Sequence, residues 1–391
     1  MKYLLPLYPL LLVVAVTARA VYAITAVVAL GVFALLTLFQ IDSVTRNLSF
    51  ERIHPERGFV GDDLIVELEI TNLSKFKAPW LELADAVPID LRTPESGVAK
   101  VITVGRRQTD RLTYRIHCHK RGLYRIGPLR ATVGTLFGPM AVRLPELPTT
   151  DFVVYPEIWP IDALNLPARA PIPNLSDSSS LIEDPYRITG VRDYRDGDSP
   201  RQIEWLASAR SGRLLVKQFN RATSRDLMIC LDLCRSNHER WTSGTDVAVS
   251  TAASIAHHAI TKERLSAGLV VNGHDPLGSQ QSLWLPGSSH PHLKMILAFL
   301  ARVESTPDDQ LLGLIETHAA RIPFGSTLMI LTGKVNDSLH GLMERLKSSG
   351  HPVVVGLIQP RPDDPKRLGN IPLYHIRDRN SLRGLSNSGI R

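Results

Sequence analysis

The sequence predicts a fold that combines an all-β part with an α/β part, preceded by helices that span a membrane. Two apolar runs lie at the amino terminus, and short runs of alternating apolar and polar residues follow as far as residue 157. From residue 222 onward, apolar strands alternate with amphipathic helices. These three patterns are typical of a transmembrane helical hairpin, a β-sandwich and a doubly wound α/β domain, respectively.

Changes in these patterns divide the 391 residues into six predicted segments. They are a transmembrane helical hairpin (1–42), a β-sandwich domain (43–157), a Pro- and Ser-rich linker (158–186), a densely charged segment (187–221), an α/β domain (222–376) and a disordered basic tail (377–391).

Composition limits the class of protein. A hydrophobic content of 44% is enough for sizeable cores, and the formal net charge is +7. The basic residues are spread along the chain and form no Arg-rich tract interleaved with aromatic residues, so we expect no nucleic-acid binding. The basic excess instead fits an anionic membrane surface, and the lipid bilayer is an expected partner. Three cysteines, Cys118, Cys230 and Cys234, are too few for a disulfide framework and suit a reducing compartment.

The amino-terminal apolar runs comprise residues 3–18 and 20–41, which Arg19 separates. A helix of about 20 apolar residues crosses a bilayer, so the second run is long enough and the first is shorter. We favour a hairpin of two helices over a cleaved signal peptide followed by one span. Basic residues lie at Lys2 and again from Arg46 onward, so the positive-inside rule predicts cytoplasmic ends. We predict a multi-pass protein of the inner (cell) membrane, with its soluble domains in the cytoplasm.

Strand periodicity begins at Leu64, Val66 and Leu68, which alternate with more polar residues. Further strands are predicted at 80–83, 101–104, 112–116, 124–128 and 152–156. Short strands separated by turns favour a β-sandwich. The lead-in at 61–63 resembles immunoglobulin-like adhesion modules, which implies a binding or spacer unit.

His117-Cys118-His119 suggests a metal site at first sight. On a strand, however, the two histidines share one face and the cysteine points away. Two ligands are too few for a closed site, so we interpret them as surface histidines.

The charged segment holds seven Lys/Arg and four acids between Arg187 and Phe219, with alternating signs. Ser199-Pro200 is a favourable helix start, and Gly212 is a favourable helix end. Residues 214–216 then predict a strand. We expect Trp205 on the helix to be buried, with its indole N–H bonded.

The same stretch resembles the signature of the domain of unknown function 58 family. The matching residues are Val191, Arg192, Tyr194, Gly197, Asp198, Arg201, Ile203, Trp205, Ser208, Ala209, Arg210, Leu214, Val216, Lys217 and Phe219. Residues 120–128 also resemble this family. The family often has Asp-Pro-Phe-Gly about ten residues later, whereas this chain has Thr135-Leu136-Phe137-Gly138 and lacks the acid.

In the α/β segment, an apolar strand from Leu227 to Leu233 carries Asp232 near its end. Residues 232–236 resemble the first metal loop, D-x-S-x-S, of von Willebrand factor A domains, with Cys234 in place of the middle serine. That family also needs a Thr from a second loop and an Asp after a later strand. Here the second loop is predicted at 286–289 and offers only Ser, and the later strand ends at 331–333 without an acid.

This resemblance leaves two alternatives for the strand edge. One is a degenerate A domain that recognises protein through its surface and needs no cofactor. The other is a weak Mg²⁺ site at Asp232 and Ser236, because Mg²⁺ prefers oxygen ligands and a neutral thiol does not suit it.

The resemblance implies a partnership with MoxR-type AAA+ ATPases, and we also expect other von Willebrand factor A-like proteins as partners. The resulting hypothesis is a membrane-anchored, non-enzymatic adaptor or scaffold, with no catalytic residue. The charged segment would serve as a partner-binding face or as support for the domain junction, through Arg192, Tyr194, Arg195, Asp198, Arg201, Trp205 and Arg210. Two alternatives are a metal-dependent enzyme or ligand-binding protein that uses the Asp232 edge, and a secreted or periplasmic adhesion module.

Overall fold

The structure is a computed structural model. It describes residues 13, 21–94, 96–97, 99–135, 141–162, 164, 183–195, 203–221, 226–238, 241–278, 282–362, 364–365 and 367–383, with backbone alone at 183–190, 218–221, 241–243 and 383. The chain divides into two compact units. The first comprises residues 1–157 with 297–303, and the second comprises 158–296 with 304–391. The predicted mixture of an apolar amino-terminal helix, several sheets and an α/β part is confirmed.

Helix α1, Val21–Arg46, has 26 residues and a mean hydropathy of 2.4 in its most apolar window, of which 6% is buried. By length and composition it can cross a membrane. It ends later than predicted, because Arg46 pairs with Asp42 one turn earlier at 2.9 Å and Val44 packs in the core. Apart from Val13, the run 3–18 lies outside the described residues, so the hairpin and its orientation remain predictions.

Ten strands form the rest of the first unit. They are β1 (Leu48–Ile53), β2 (Arg57–Phe59), β3 (Asp63–Asn72), β4 (Ala78–Asp85), β5 (Lys100–Val104), β6 (Gln108–His117), β7 (Gly122–Ile126), β8 (Leu129–Gly134), β9 (Ala141–Arg143) and β10 (Thr150–Tyr155). They make three sheets, in the orders β1-β3-β6, β2-β10-β7 and β5-β4-β8-β9. All pairings are antiparallel except β2 with β10, and one hydrophobic core joins the three sheets.

A buried charge network lies inside this unit. The Arg52 guanidinium donates to both carboxylate oxygens of Asp85, at 2.7 and 3.0 Å, and the Tyr114 hydroxyl donates to the same carboxylate at 2.7 Å. Burial, and then the nearby Asp85 carboxylate, raise the pKa of Tyr114 far above its ordinary value. Arg52 also donates to the Ile126 carbonyl, so the network connects strands from all three sheets.

The second unit begins with a two-stranded antiparallel ribbon, β11 (Glu183–Asp193) and β12 (Leu215–Arg221), with helix α2 (Trp205–Ser211) between them in sequence. Gly212 ends α2 in the left-handed conformation, at φ 69°, as its position predicted. The predicted start at Ser199-Pro200 lies outside the described residues. We call β11, α2 and β12 the ribbon module.

A six-stranded sheet forms the main body of this unit, in the order β15-β14-β13-β16-β17-β18. Its strands are β13 (Asp226–Asp232), β14 (Ser266–Asn272), β15 (Leu283–Gly287), β16 (Thr327–Thr332), β17 (Val353–Ile358) and β18 (Leu373–Ile376). The accompanying helices are α3 (Trp241–Thr261), α4 (His290–Arg302), α5 (Leu311–His318), α6 (Asp337–Ser348) and α7 (Arg379–Arg383). All pairings are parallel except β14 with β15.

Alternate residues of the central strands, among them Met228 and Cys230, share one core cluster with α5 and α6. The apolar stripe of α3 contacts the same strands but contributes no residue to that cluster. Helices therefore pack on both sides of the strands. Cys230 lies in this core, as predicted, and burial raises its pKa to about 12.

The structure corrects the predictions for residues 286–289, for the linker and for the carboxyl-terminal tail. Residues 286–289 do not form a loop beside Asp232. Leu283–Gly287 is an edge strand, held by the buried side chains of Leu283 and Trp284. Gly287 pairs with Ala267, which lies at the end of β14 opposite to the one beside Asp232. The predicted linker is too long, since β11 already begins at Glu183.

The start of the predicted linker packs against α3. Trp159 is buried, and its backbone N–H donates to the Ser254 hydroxyl of α3 at 2.7 Å. The predicted disordered tail begins instead with α7, whose Leu382 is fully buried. Residues 165–182 and 384–391 lie outside the described residues.

Candidate functional site

Asp232 lies at the carboxyl end of β13, at the point where the strand order reverses. The chain places β14 on one side of β13 and β16 on the other. In open parallel sheets of this kind, ligands bind in the crevice beside such a reversal, at the carboxyl ends of the strands. The end of β13 is therefore the first place to examine for a ligand or a catalytic group.

The Asp232 side chain is only 2% exposed, and protein donors surround it. One carboxylate oxygen accepts from the Asn237 amide and from the Thr332 hydroxyl, both at 2.8 Å. The other accepts from the backbone N–H of Cys234 at 3.0 Å and from the Asn272 amide at 3.4 Å. We call these five residues the Asp232 cluster. Four donors, from the loop after β13 and from the ends of β14 and β16, stabilise the buried carboxylate.

Two neighbours hold the cluster in place. The His238 ring donates from Nε2 to the Asp232 carbonyl at 2.9 Å; a carbonyl only accepts, so this nitrogen carries the proton. Gly333, directly after Thr332, leaves room for the loop that carries Asn237. A Cβ added at Gly333 would lie 2.3 Å from the Asn237 carbonyl oxygen.

These residues do not fit the predicted Mg²⁺ site. Mg²⁺ needs oxygen ligands with lone pairs directed at it in octahedral geometry. Both Asp232 oxygens instead face N–H and O–H donors. Ser236 is exposed, and its hydroxyl lies 3.1 Å from the Cys234 thiol. In the part of the chain that the structure describes, no group of three or more His, Cys, Asp or Glu side chains could hold a metal.

The residues predicted from the charged segment fall into two groups. Arg192 and Tyr194 are half-buried near the end of β11, and Arg195 is exposed just beyond it. Trp205 and Arg210 lie on α2, while Asp198 and Arg201 lie outside the described residues. The role of this segment as a partner-binding face or as support for the domain junction therefore remains a prediction.

Two ion pairs are described in the ribbon module. Asp193 pairs with Arg213 at 3.6 Å, and Glu204 pairs with Lys217 at 3.2 Å. Both pairs are partly solvated, so they contribute little stability. The register of β11 against β12 is given by their antiparallel backbone pairing.

The expectation of a buried Trp205 is wrong, because its side chain is 65% exposed. Ser208 is the buried residue of α2. Its hydroxyl accepts from the Leu215 backbone N–H at 2.8 Å and attaches the helix to the start of β12. Ile203, also buried, forms a bridge to Val216. The outer face of α2 therefore presents Trp205 instead of burying it.

Sequence reasoning missed Asn237, Asn272 and Thr332 as partners of Asp232. Thr332 lies 100 positions from Asp232, and only the pairing of β13 with β16 brings the two together. The signal that could have found it was present, since each of these strands ends in a polar residue after a buried apolar run.

The paired surface histidines of the first unit agree with their predicted placement. The rings of His117 and His119 lie 4.4 Å apart, and His117 bonds to Asp63 at 2.8 Å. Cys118 between them is fully buried, and burial, followed by the charges of Asp62 and Asp63, raises its pKa to about 11.

Residues 190–378 match the family described as "Protein of unknown function DUF58". A curated relative, "Uncharacterized protein YeaD" from Bacillus subtilis (strain 168), is 24% identical over 274 residues. That alignment covers 68% of this chain, and the chain spans 64% of the length of the relative.

Among solved structures, a CARDB domain from Pyrococcus furiosus, crystallised in complex with di-metal ions, is 22% identical, with a TM-score of 0.21. The match covers 27% of this chain and 86% of that domain. A β-glucosidase from Listeria innocua is 17% identical, with a TM-score of 0.15, over 27% of this chain and 16% of the enzyme. Scores this low support no inference about function.

Proposed function

We propose, on the premise that residues 190–378 belong to the family of unknown function DUF58, that this protein is a membrane-anchored, non-enzymatic adaptor. It works with a MoxR-type AAA+ ATPase in complex assembly or cell-envelope processes. Helix α1 supports the anchor, since it is long and apolar enough to cross a bilayer.

The observation that carries this proposal is the burial of Asp232 among four hydrogen-bond donors at the end of β13. An α/β sheet that binds or converts a ligand keeps its reactive groups accessible at this edge. Here the acid at the edge is 2% exposed and engaged by four donors of its own chain. We therefore infer that the second unit recognises a partner protein through its surface.

The topology favours a von Willebrand factor A-like, doubly wound domain as the form of this unit. Counted from β13, the strands lie in the order 3-2-1-4-5-6, and the third is an antiparallel edge strand. We equate the Asp232 cluster with the metal loop of such domains, and its four hydrogen-bond donors support a form of that loop without a cation. For the first unit, the three sheets around one core support an immunoglobulin-like spacer.

We assign the contact with the ATPase to the end of β11, through Arg192, Tyr194 and Arg195. Arg195 is exposed, and the other two are half-exposed beside it. Arginine and tyrosine are enriched in the residues that dominate protein interfaces. The alternative function, a metal-dependent enzyme or ligand-binding protein at Asp232, would have to displace the donors that already bind this carboxylate.

The test is affinity capture of the full-length protein from detergent-solubilised native membranes, with proteins identified by mass spectrometry. The variant Arg192→Glu/Arg195→Glu is compared with Arg106→Glu/Arg107→Glu, which reverses two exposed charges on a turn of the first unit. Both must melt like the wild type. We expect an AAA+ ATPase with the wild type and with the control, and its loss with the β11 variant. Recovery with all three would move the contact away from β11, and recovery with none, even after cross-linking, would contradict the adaptor.

Orientation is a separate part of the proposal. We propose that both ends lie in the cytoplasm, with residues 3–18 and α1 forming a hairpin. A reporter fused after Arg391 that is active only in the cytoplasm should be active, and one active only outside the membrane should be silent. The reverse pattern would instead favour the secreted or periplasmic adhesion module.

A further inference from the structure

The outer face of α2 is apolar and exposed. Trp205 and Leu206 are 65% and 64% exposed, and Ala209 is exposed as well. At 100° per residue, Trp205, Ala209, Leu206 and Arg210 lie within an arc of about 140°, and Ser208 lies outside that arc. Ser208 holds the helix on β12 through Leu215, so this outer face is presented outward by the fold of the ribbon module itself.

Arg210 supplies the positive charge of this face. The other two basic side chains of residues 203–217 are paired with acids: Arg213 with Asp193 at 3.6 Å, and Lys217 with Glu204 at 3.2 Å. Arg210 is exposed one helical turn after Leu206, so a cation lies directly beside the apolar residues.

The size of the face distinguishes between possible occupants. A stable protein interface covers about 800 Å² on each partner, from about 20–30 residues. The outer face of α2 offers two large apolar side chains on a helix of seven residues. A lipid headgroup region needs no matching surface of that size. Tryptophan prefers this region, and basic side chains beside it are attracted to anionic lipids.

A membrane lies within reach of the chain, because α1 is a candidate span. We propose that the outer face of α2, formed by Trp205, Leu206, Ala209 and Arg210, docks on anionic lipid headgroups of the bilayer that anchors the protein. Trp205 and Leu206 enter the headgroup region, and Arg210 pairs with lipid phosphate. This docking shares only the membrane anchor with the proposed function and does not depend on the ATPase.

The experiment uses full-length protein reconstituted into vesicles of phosphatidylcholine, with or without phosphatidylglycerol. The three native cysteines are buried, so a polarity-sensitive maleimide dye reacts with an introduced, exposed cysteine. Leu206→Cys places the dye on the outer face, and Ser211→Cys places it on the same helix outside that face. In a second measurement, lipids brominated near the headgroup quench tryptophan emission in the wild type and in Trp205→Phe.

We expect the dye at position 206 to shift to shorter wavelength in anionic vesicles and to return on addition of about 1 M salt, where the screening length falls to about 3 Å. The dye at position 211 should not shift. Bromolipid quenching should be greater for the wild type than for Trp205→Phe, and Arg210→Glu should reduce it.

Three results would overturn the proposal. They are equal emission from the dyes at both positions, equal quenching of the wild type and Trp205→Phe, or a shift at position 206 that depends on protein concentration and not on anionic lipid. The last would assign the face to a second copy of the chain. If the Arg192→Glu/Arg195→Glu variant no longer captures the ATPase, none of these lipid readouts is affected. The adaptor proposal and the lipid-docking proposal can therefore fail independently.

Discussion

Replacing Thr332 by valine tests whether the Asp232 cluster is a closed structural element. The change keeps the shape of the side chain and removes the hydroxyl that donates to Asp232 at 2.8 Å. A hydrogen bond to a charged group contributes about 1.5–3 kcal/mol to the free energy of unfolding. In a domain of about 150–250 residues, each kcal/mol shifts the Tm by about 2–4 °C, so we expect a decrease of about 3–12 °C.

The assay is thermal unfolding of the full-length protein in detergent, followed by circular dichroism or scanning fluorimetry. Thr317→Val is the matched control, because its hydroxyl bonds only to the Gly313 carbonyl on an exposed helix turn. That variant should change the Tm by a degree or two at most. Asp232→Asn should be more damaging than Thr332→Val, on the order of 3–5 kcal/mol, since it turns an amide donor toward donors that need an acceptor.

Millimolar Mg²⁺ extends the same test. A cation that binds only the folded state stabilises it by RT ln(1 + [Mg²⁺]/Kd), so the Tm rises as the Mg²⁺ concentration exceeds Kd. Because four donors already engage Asp232, we expect no Mg²⁺-dependent shift. The reasoning would be refuted if Thr332→Val melted like Thr317→Val, or if Mg²⁺ raised the Tm of the wild type and not of Asp232→Asn.

Three further predictions follow from buried groups. Asp85→Asn should destabilise the first unit by about 3–5 kcal/mol, because it breaks the buried ion pair with Arg52. The control Asp151→Asn, whose ion pair with Arg125 is exposed, should melt like the wild type. Equal Tm values for the two variants would contradict this prediction. Burial raises the pKa of Cys230 from 9.0 to about 12, so folding favours the thiol over the thiolate. We therefore expect the free energy of unfolding to fall as pH rises above 9, and no reaction of Cys230 with Ellman's reagent at pH 8 before unfolding. Rapid reaction of Cys230 in the folded protein would count against this prediction. Gly333→Ala should lower the free energy of unfolding by about 1–3 kcal/mol, since its Cβ would lie 2.3 Å from the Asn237 carbonyl oxygen in a packed core. The control Gly313→Ala on α5, with open space around it, should raise the free energy of unfolding by about 0.5–1 kcal/mol. Chemical denaturation measures both.

Much of the α/β part was predictable because its strands are buried on both faces. Continuous apolar runs at 227–231, 328–331 and 353–355 show no alternation of apolar and polar residues, and each lies within a strand of the sheet. The edge strand β15 was missed because Pro286-Gly287 is typical of a turn. Proline is tolerated on an edge strand, where a missing N–H costs no ladder bond.

The candidate sites were less predictable, for two physical reasons. Contacts such as Thr332 with Asp232 depend on which strands are neighbours, and no local pattern specifies the strand order. The exposure of Trp205 depends on Ser208, a small polar residue whose hydroxyl happens to satisfy the Leu215 N–H. Size and hydrophobicity alone predicted the opposite orientation of the helix.

The central claim, a direct contact between this protein and an AAA+ ATPase, is tested most directly by photo-cross-linking in living cells. A photoreactive amino acid is placed at position 195 of the full-length protein, and at position 106 as a control on the first unit. We predict an adduct with an AAA+ ATPase from position 195 and none from position 106. Adducts from position 195 that contain no such ATPase, or the same adducts from both positions, would contradict the claim.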